Sequence, residues 1–360
     1  MDREAPPVTT LAARPASLAR ARTRRGTLIV VLVVGLVTSV VVTVGIGPVS
    51  IAPDVVARII AFHLGAPVDV TWSPADDNIV WLIRVPRVLL GVLVGSALAM
   101  TGVAVQSLVR NPLADPYLLG ISSGASAGAA ASILFGFGVG AGAVGLTGSA
   151  FLGASLAIVL VFSIARIGGR LVPSRLVFAG IAVSFALTAL TNFLVVASES
   201  RDGTRAVLFW MLGSLGQARW ASVPIAAGAV ALAAIVLFAW SRRFDAIAIG
   251  DDTARALGTD PTRFRTVAAL LVSVTIAAAV AVSGSIGFVG LVVPHIARRM
   301  VGSSHRLTFP VSALLGGLLL VWADALARTA FAPRELPLGV LTALIGTPML
   351  IVLVRRMFAR

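Results

Sequence analysis

Cysteine and lysine are both absent from this 360-residue sequence, and histidine occurs three times. Without cysteine there is no disulfide framework, thiol nucleophile or thiolate-bound metal. Without lysine, a phosphate-binding loop of the G-x-x-x-x-G-K type is excluded. The histidines, at 63, 295 and 305, are too scattered in the sequence to suggest a metal cluster. We therefore expect no metal site and no cofactor bound by this chain.

Charge is also scarce. Charged residues make up 12% of the chain, hydrophobic residues make up 58%, and the mean hydropathy is +0.99. Soluble domains are about a quarter charged and just under half apolar. No soluble core needs this much Leu, Val, Ile and Ala, so the excess has to face lipid. The composition predicts an all-α polytopic membrane protein.

A membrane-crossing helix needs about 20 mostly apolar residues. The first candidate, 27–47, carries no charge. A signal peptide is the alternative interpretation, but the run is too long and no small-x-small cleavage site follows it. In all, the sequence predicts ten spans, at 27–47, 88–108, 117–136, 145–165, 176–197, 221–240, 266–283, 285–301, 309–327 and 337–354.

The arginines set the orientation. With ten spans both termini lie on one side, and placing that side in the cytoplasm puts 21 of the 29 arginines inside and eight outside. Cytoplasmic loops carry such an excess of basic residues. The net charge of +14 is therefore an orientation signal, and nucleic acid is not an expected partner. We predict a cytoplasmic Arg-rich tail at 1–26 and a ten-helix transmembrane domain at 27–360.

Small residues form one face of the third span. Gly120, Gly124 and Gly128 are four residues apart and alternate with serine and alanine. Such a face lets two helix backbones approach closely in lipid. Tight packing within the chain is one interpretation, and the lining of a wide substrate path is the other.

Catalytic and proton-carrying groups are few. No His-Glu pair has metal-ligand spacing, and no Ser/His/Asp set is expected to converge on one membrane face. Asp324 is the one acidic residue inside a predicted span, and it precedes Arg328 by four residues, which predicts an ion pair on one helix face. A proton-driven carrier would need more buried carboxylates. The sequence has no set of catalytic residues that would suit a membrane-bound enzyme. The remaining interpretation is a protein that moves a solute without carrying its own energy source.

The longest cytoplasmic connection, 244–265, reads FDAIAIGDDTARALGTDPTRFR. Gly250 interrupts it, Asp251 and Asp252 suit the start of a helix, and Gly258 suits its end. The pattern predicts a short helix, a glycine break and a second short helix that together form one compact unit on the cytoplasmic face. A capped loop helix without a partner is the alternative.

Four stretches of this chain resemble the FecCD-type permeases of ABC importers for iron-siderophores and cobalamin. They are RVPRVLLGVLVGSALAMTGVAVQSLVRNPLADPYLLGISSGA (84–125), GDDTARALG (250–258), GSIGFVGLVVPHIARRMVGSSHR (284–306) and ELPLGVLTALIGTPMLIVLVRR (335–356). The resemblance runs from about residue 27 to the C-terminus, so the N-terminal tail lies outside it.

The resemblance implies the fold and the partners. The fold is the large (type II) permease class, in the bacterial cytoplasmic (inner) membrane, with a second permease subunit as homo- or heterodimer. Two cytoplasmic ATPase subunits hydrolyse ATP, so this chain is no enzyme, and a substrate-binding protein docks outside. The expected cargo is a metal chelate, foremost an Fe(III)-siderophore. Cobalamin or haem is the alternative, and a stand-alone secondary transporter is a weaker one.

The resemblance also assigns roles to residues of this chain. Docking of the binding protein is assigned to Arg84, Arg87 and Arg328, which in relatives face glutamates of that protein. ATPase coupling is assigned to 244–265, and within it to Gly250, Asp251, Ala254, Leu257 and Gly258. The cytoplasmic gate is assigned to Asn111, Leu113 and Ser174. Pro173 stands where the family often has a second hydroxyl residue, which is a departure at this gate.

Overall fold

The structure, a computed structural model, describes residues 15–138, 143–167 and 170–358. The predicted tail therefore lies outside the described residues up to residue 14. The helices are α1 Pro15–Gly45, α2 Pro53–His63, α3 Pro74–Asp77, α4 Val85–Val109, α5 Ile121–Phe135, α6 Ala143–Ala165, α7 Pro173–Ala197, α8 Arg201–Met211, α9 Ser222–Ala239, α10 Ser241–Ile249, α11 Asp251–Ala256, α12 Pro261–Ser283, α13 Val289–Val301, α14 His305–Thr329 and α15 Leu338–Phe358.

The predicted polytopic helical fold is confirmed. Within the described ranges, eight helical segments are long and apolar enough to cross a membrane. A π-helical turn, Asn78–Arg84, joins α3 to α4, so that one continuous segment runs from Pro74 to Val109. Each of the ten predicted spans corresponds to a helix, in chain order α1, α4, α5, α6, α7, α9, α12, α13, α14 and α15.

Two predicted spans are shorter in the structure. Helix α5 has 15 residues and α13 has 13, against the 20 and 17 residues of the predictions 117–136 and 285–301. Before α5 the chain forms a 3-10 turn, Pro116–Leu119, and then turns at Gly120 with φ of 73°. Before α13 it turns at Gly284 and Phe288, with φ of 65° and 68°. A positive φ cannot continue a right-handed helix, so apolar composition alone overestimates both lengths.

Several short elements are absent from the predictions, α3 among them. Helices α2 and α8 are 11 residues each and lie in connections between spans. Arg166–Ile167 and Arg170–Leu171 form a two-residue antiparallel ladder between α6 and α7, with Arg166 opposite Leu171. These elements are too short to produce a signal in a 20-residue apolar window.

Helix α4 is the central helix. In the most apolar 18-residue stretch of the segment that contains α4, 83% is buried, whereas the corresponding shares are 22% for α1 and 17% for α9. The exposed faces of α1, α7, α9 and α15 carry large apolar side chains, as expected of surfaces that contact lipid or another membrane subunit. Burial thus separates a packed centre from a peripheral ring.

Helices α4 and α14 pack with their backbones almost touching. A Cβ atom added to Gly95 would overlap the carbonyl of Gly316, and one added to Gly316 would overlap that of Gly95. Beside this contact, Ser96 donates a hydrogen bond to the Ala313 carbonyl at 2.9 Å. Without a hydrophobic drive between helices in lipid, such close packing and interhelical hydrogen bonds hold the pair together.

The glycine face of α5 makes a similar contact with α6. A Cβ atom on Gly124 would overlap the carbonyl of Gly153, and one on Gly128 would overlap that of Ser149. The interpretation of this face as tight packing within the chain is therefore confirmed for Gly124 and Gly128.

Substitution of Gly124 by alanine is expected to lower the stability of the protein by about 1–3 kcal/mol, because the new methyl group meets backbone that cannot rotate away. Gly228 on α9 provides the matched control, since nothing lies within 4 Å of a Cβ atom at that position. Thermal unfolding in detergent should show a lower Tm for Gly124→Ala and no decrease for Gly228→Ala. Equal Tm values would contradict the close contact.

Candidate functional site

The segment 244–265 folds as the sequence predicts, into two short helices joined at a glycine. Helix α10 ends at Ile249, Gly250 is extended, and α11 begins at Asp251. Gly258 has φ of 77°, the left-handed conformation that glycine adopts most readily. Gly258 N–H donates to the Arg255 carbonyl at 2.9 Å and Thr259 N–H to that of Ala254 at 2.8 Å, which is the Schellman pattern of a helix end.

Asp251 anchors this segment to the helical bundle. Arg265 of α12 donates two hydrogen bonds to its carboxylate, at 2.6 and 2.9 Å, and Arg110 at the end of α4 donates a further one. The hydrogen bonds from Arg265, with the charges of Arg265 and Arg110, lower the pKa of Asp251 from 3.8 to about 2. Its contribution to stability is therefore complete at neutral pH and is lost only as the pH falls below about 4.

The same segment presents two large apolar side chains to solvent. Ile249 is 73% exposed and Leu257 is 68% exposed, whereas Ala254 between them is fully buried. We call Ser241–Leu257 the knob. Exposed apolar side chains on a rigidly anchored, polar surface are typical of a protein interaction site.

Charged side chains cluster at the opposite end of the bundle. Arg87 of α4 donates to Asp324 at 3.0 Å and to Glu335 at 2.9 and 3.0 Å. Arg328 lies 3.0 Å from Asp324, which confirms the predicted ion pair on α14. Arg87, Asp324 and Arg328 are buried, while the Glu335 side chain is partly exposed. We call these residues, with Arg84, the outer cluster.

Arg84 is held by backbone carbonyls. Its guanidinium donates to the carbonyls of Val44 at 3.1 Å and Gly45 at 2.9 Å, and also to that of Val49. These carbonyls lie at and just beyond the C-terminal end of α1, where a cation is favoured by the helix dipole. The three arginines assigned to docking are thus all buried in this chain and contribute to its packing. Their role in docking stays a prediction.

The three residues assigned to the gate lie on two segments. Asn111 and Leu113 follow α4 in one turn, where Leu113 N–H donates to Asn111 Oδ1 at 2.9 Å. Ser174 lies in the first turn of α7 and is exposed. The turn and the helix end belong to the same side of the bundle as the knob. Their role as a gate also stays a prediction.

One expectation from the sequence is wrong. Asp245, His305 and Ser107 do converge, at the end of the bundle that carries the knob. They are far apart in sequence, on α10, α14 and α4, so no local spacing announces them. Ser107 is buried and donates to the Val103 carbonyl at 2.9 Å, so its hydroxyl is not presented as a nucleophile.

An uncharged groove of about 660 Å³ lies between the end of α8, the start of α13 and α15. Its lining includes Met211, Ser285, Phe288, Val340 and Leu344, and none of its eleven lining residues is charged. Sequence reasoning missed it, because its walls come from three distant segments. Within the described part of the chain, no group of three or more His, Cys, Asp or Glu could hold a metal ion.

Long helices with exposed apolar faces around a buried central pair define a multi-pass membrane protein. The chain belongs to the FecCD transport family, whose sequence profile matches residues 29–356.

Relatives of known name support this assignment. The chain is 41% identical to the cobalamin import system permease protein BtuC of Halobacterium salinarum, over 81% of this chain and 77% of that protein. It is 36% identical to the Fe(3+)-citrate import system permease protein YfmD of Bacillus subtilis, over 79% of this chain and 84% of that one. It also superimposes on a metal-chelate type ABC transporter solved in an inward-facing conformation, with a TM-score of 0.80, 29% identity and coverage of 92% and 99%.

The protein is therefore the permease of an ABC importer, and a separate subunit carries the ATPase. The resemblance to FecCD-type permeases and the predicted all-helical type II architecture are confirmed. Membership of this family implies an ATPase partner and a substrate-binding partner.

Proposed function

We propose that the permease carries an Fe(III)-siderophore, driven by two ATPase subunits that bind the knob and supplied by a binding protein that docks on the outer cluster. A second permease subunit would complete the path, and the exposed apolar faces of α7 and α15 are available to it. The observation that carries the proposal is the knob: two exposed apolar side chains on a segment fixed by Asp251.

The knob suits an ATPase cleft for a physical reason. Leu257 and Ile249 would gain by burial against a partner, and Asp251 with Arg265 and Arg110 resists displacement of α11 relative to α4 and α12. A partner that pushes on α11 therefore pushes on the bundle. A loop helix without a partner would gain nothing from two exposed large apolar side chains.

The groove supports passage of a bulky solute. A transport path must bind its solute weakly enough to release it, and a wall without charged side chains meets that need for a large chelate. An iron-citrate and a cobalamin permease are both among the relatives, so the cargo is the part of the proposal that needs a direct experiment.

A substrate panel provides that experiment. The complete importer in proteoliposomes is loaded with ATP and offered ferric hydroxamate, ferric citrate, cobalamin and haem at equal concentration. We expect saturable uptake of a ferric chelate and none of cobalamin or haem. Uptake of cobalamin or haem instead would replace the siderophore by the alternative cargo.

Docking on the outer cluster is tested by Glu335→Gln. Three arginines and two carboxylates leave the cluster with a charge of 3 − 2 = +1, and removal of the Glu335 charge raises it to +2. Asp324 still neutralises Arg87, so the fold should persist. We expect a rise of about twofold to fivefold in the association rate of an acidic binding protein at low salt, since such charges mainly affect encounter.

The control for this variant is ionic strength. The increase in association rate should disappear in about 1 M salt, where charges are screened beyond roughly 3 Å. An unchanged or slower association rate at low salt would count against docking at the outer cluster.

A further inference from the structure

Asp245, His305 and Ser107 form a hydrogen-bonded chain that none of the roles above uses. His305 Nδ1 lies 2.6 Å from Asp245 Oδ1, and His305 Nε2 lies 2.6 Å from Ser107 Oγ. Asp245 Oδ1 also accepts the His305 backbone N–H at 2.9 Å, so Asp245 caps the start of α14. We call these residues the relay. It joins α10, the first helix of the knob, to α14 and to α4.

The relay is largely enclosed by the bundle, although the Asp245 side chain is partly exposed. His305 and Ser107 are both less than a tenth exposed. Phe244, next to Asp245, is fully buried, with the rings of Phe264 and Phe309 packed edge-on at 5.0 and 5.3 Å. Because interiors are close-packed, α10 cannot shift far without moving what it contacts.

Helices α4 and α14 are joined at both of their ends. At the outer end Arg87 binds Asp324, and at the knob end Ser107 binds His305. Between them the Gly95–Gly316 contact leaves no room for a Cβ atom. The 25 residues of α4 span about 37 Å, so this pair connects the knob end of the bundle to the outer cluster as one unit.

We propose that His305 is a positioning residue through which a displacement of the knob is passed to the α4–α14 pair. The inference rests on the proposed function, because it takes the knob as the ATPase-binding segment. A bistable element must be pushed by a physical contact for coupling to occur, and the relay is a side-chain hydrogen-bond contact that joins α10 to α14 as well as to α4. If it is broken, α10 stays tied to α4 through Arg110, which donates to the Ile247 carbonyl at 3.0 Å, but its contact with α14 is reduced to apolar packing such as that of Phe244 on Phe309.

The experiment measures uptake per ATP hydrolysed in proteoliposomes that contain the complete importer. For His305→Ala we expect ATPase association and hydrolysis to persist and uptake per ATP to fall by at least about fivefold. His305→Asn retains a donor near the Nδ1 position, so it should recover part of the coupling. Recovery by this variant would distinguish positioning from mere filling of space.

Ser312→Ala is the matched control on α14. Ser312 is fully buried and its Oγ has no hydrogen-bond partner among the described residues, so loss of its hydroxyl breaks no link. Uptake per ATP should equal that of the unmodified protein. The same loss as in His305→Ala would mean that any polar deletion in α14 uncouples transport, and the inference would fail.

Two gentler variants decide the question if His305→Ala does not fold. Asp245→Asn keeps the shape of the side chain, and Ser107→Ala removes a single hydroxyl. Each should lower uptake per ATP. The fold-reduction in the double variant should be smaller than the product of the two single fold-reductions, because both substitutions break the same chain of contacts. Unchanged coupling in both single variants would overturn the inference.

Failure of the inference can be separated from failure of the proposed function. Leu257→Glu tests binding of the ATPase at the knob and does not touch the relay. If Leu257→Glu releases the ATPase while relay variants couple normally, the relay inference alone is wrong. If Leu257→Glu leaves ATPase binding intact, the proposed function is wrong.

Discussion

Leu257→Glu is expected to weaken association of the ATPase subunits with the permease by about tenfold to a hundredfold. Burial of a leucine side chain contributes about 1.5–3 kcal/mol, and each 1.4 kcal/mol is a factor of ten in affinity. Leu257 is 68% exposed in the isolated chain, so the substitution should leave the fold intact. The measurement is co-purification and the dissociation constant of the ATPase subunit in detergent.

Leu64→Glu is the control for this variant. Leu64 is 75% exposed and lies at the end of α2, on the opposite side of the bundle from the knob. The same chemical change there should not alter ATPase binding. If both variants bind the ATPase equally well, the knob is not its binding site.

Asp324→Ala is expected to lower the stability of the protein by roughly 3–5 kcal/mol, because removal of one partner from a buried ion pair leaves the other charge uncompensated. Arg87 and Arg328 both lie 3.0 Å from this carboxylate and are themselves buried. The loss should appear as a lower Tm and a lower yield of folded protein in detergent.

Asp252→Ala is the matched control. Asp252 pairs with Arg255 at 2.8 Å, but both side chains are largely exposed, and such surface pairs contribute little. Its Tm should be unchanged. A further check is the double variant Arg87→Leu with Asp324→Leu, whose loss of stability should be smaller than the sum of the losses in the two single variants. Equal Tm values for Asp324→Ala and Asp252→Ala would contradict the buried cluster.

The arginines of the outer cluster illustrate what sequence reasoning can reach. The spacing of Asp324 and Arg328 predicts their ion pair, because residues four apart share a helix face. The partners of Arg87 and Arg84 lie on α14, on the segment before α15 and around the end of α1, and no local pattern indicates such contacts. A docking role assigned by resemblance therefore gave no sign that these side chains are buried.

The knob was predictable because its signals are local. Gly250 marks the break between the two short helices, Asp251 suits the start of the second helix, and Gly258 suits its end. The relay was not predictable, because three residues separated by 138 and 60 positions meet only once the bundle has formed. The lengths of α5 and α13 were overestimated for a similar reason, since hydropathy does not register a positive φ.

The central claim is that ATP hydrolysis on a partner subunit drives transport through this chain. The most direct measurement is uptake of a ferric chelate by proteoliposomes that contain the complete importer, with ATP inside and a protonophore added. We predict that uptake requires ATP, persists when the proton gradient is collapsed, and is lost with Leu257→Glu. Uptake that stops with the proton gradient while ATP is held constant would contradict the account and favour a secondary transporter.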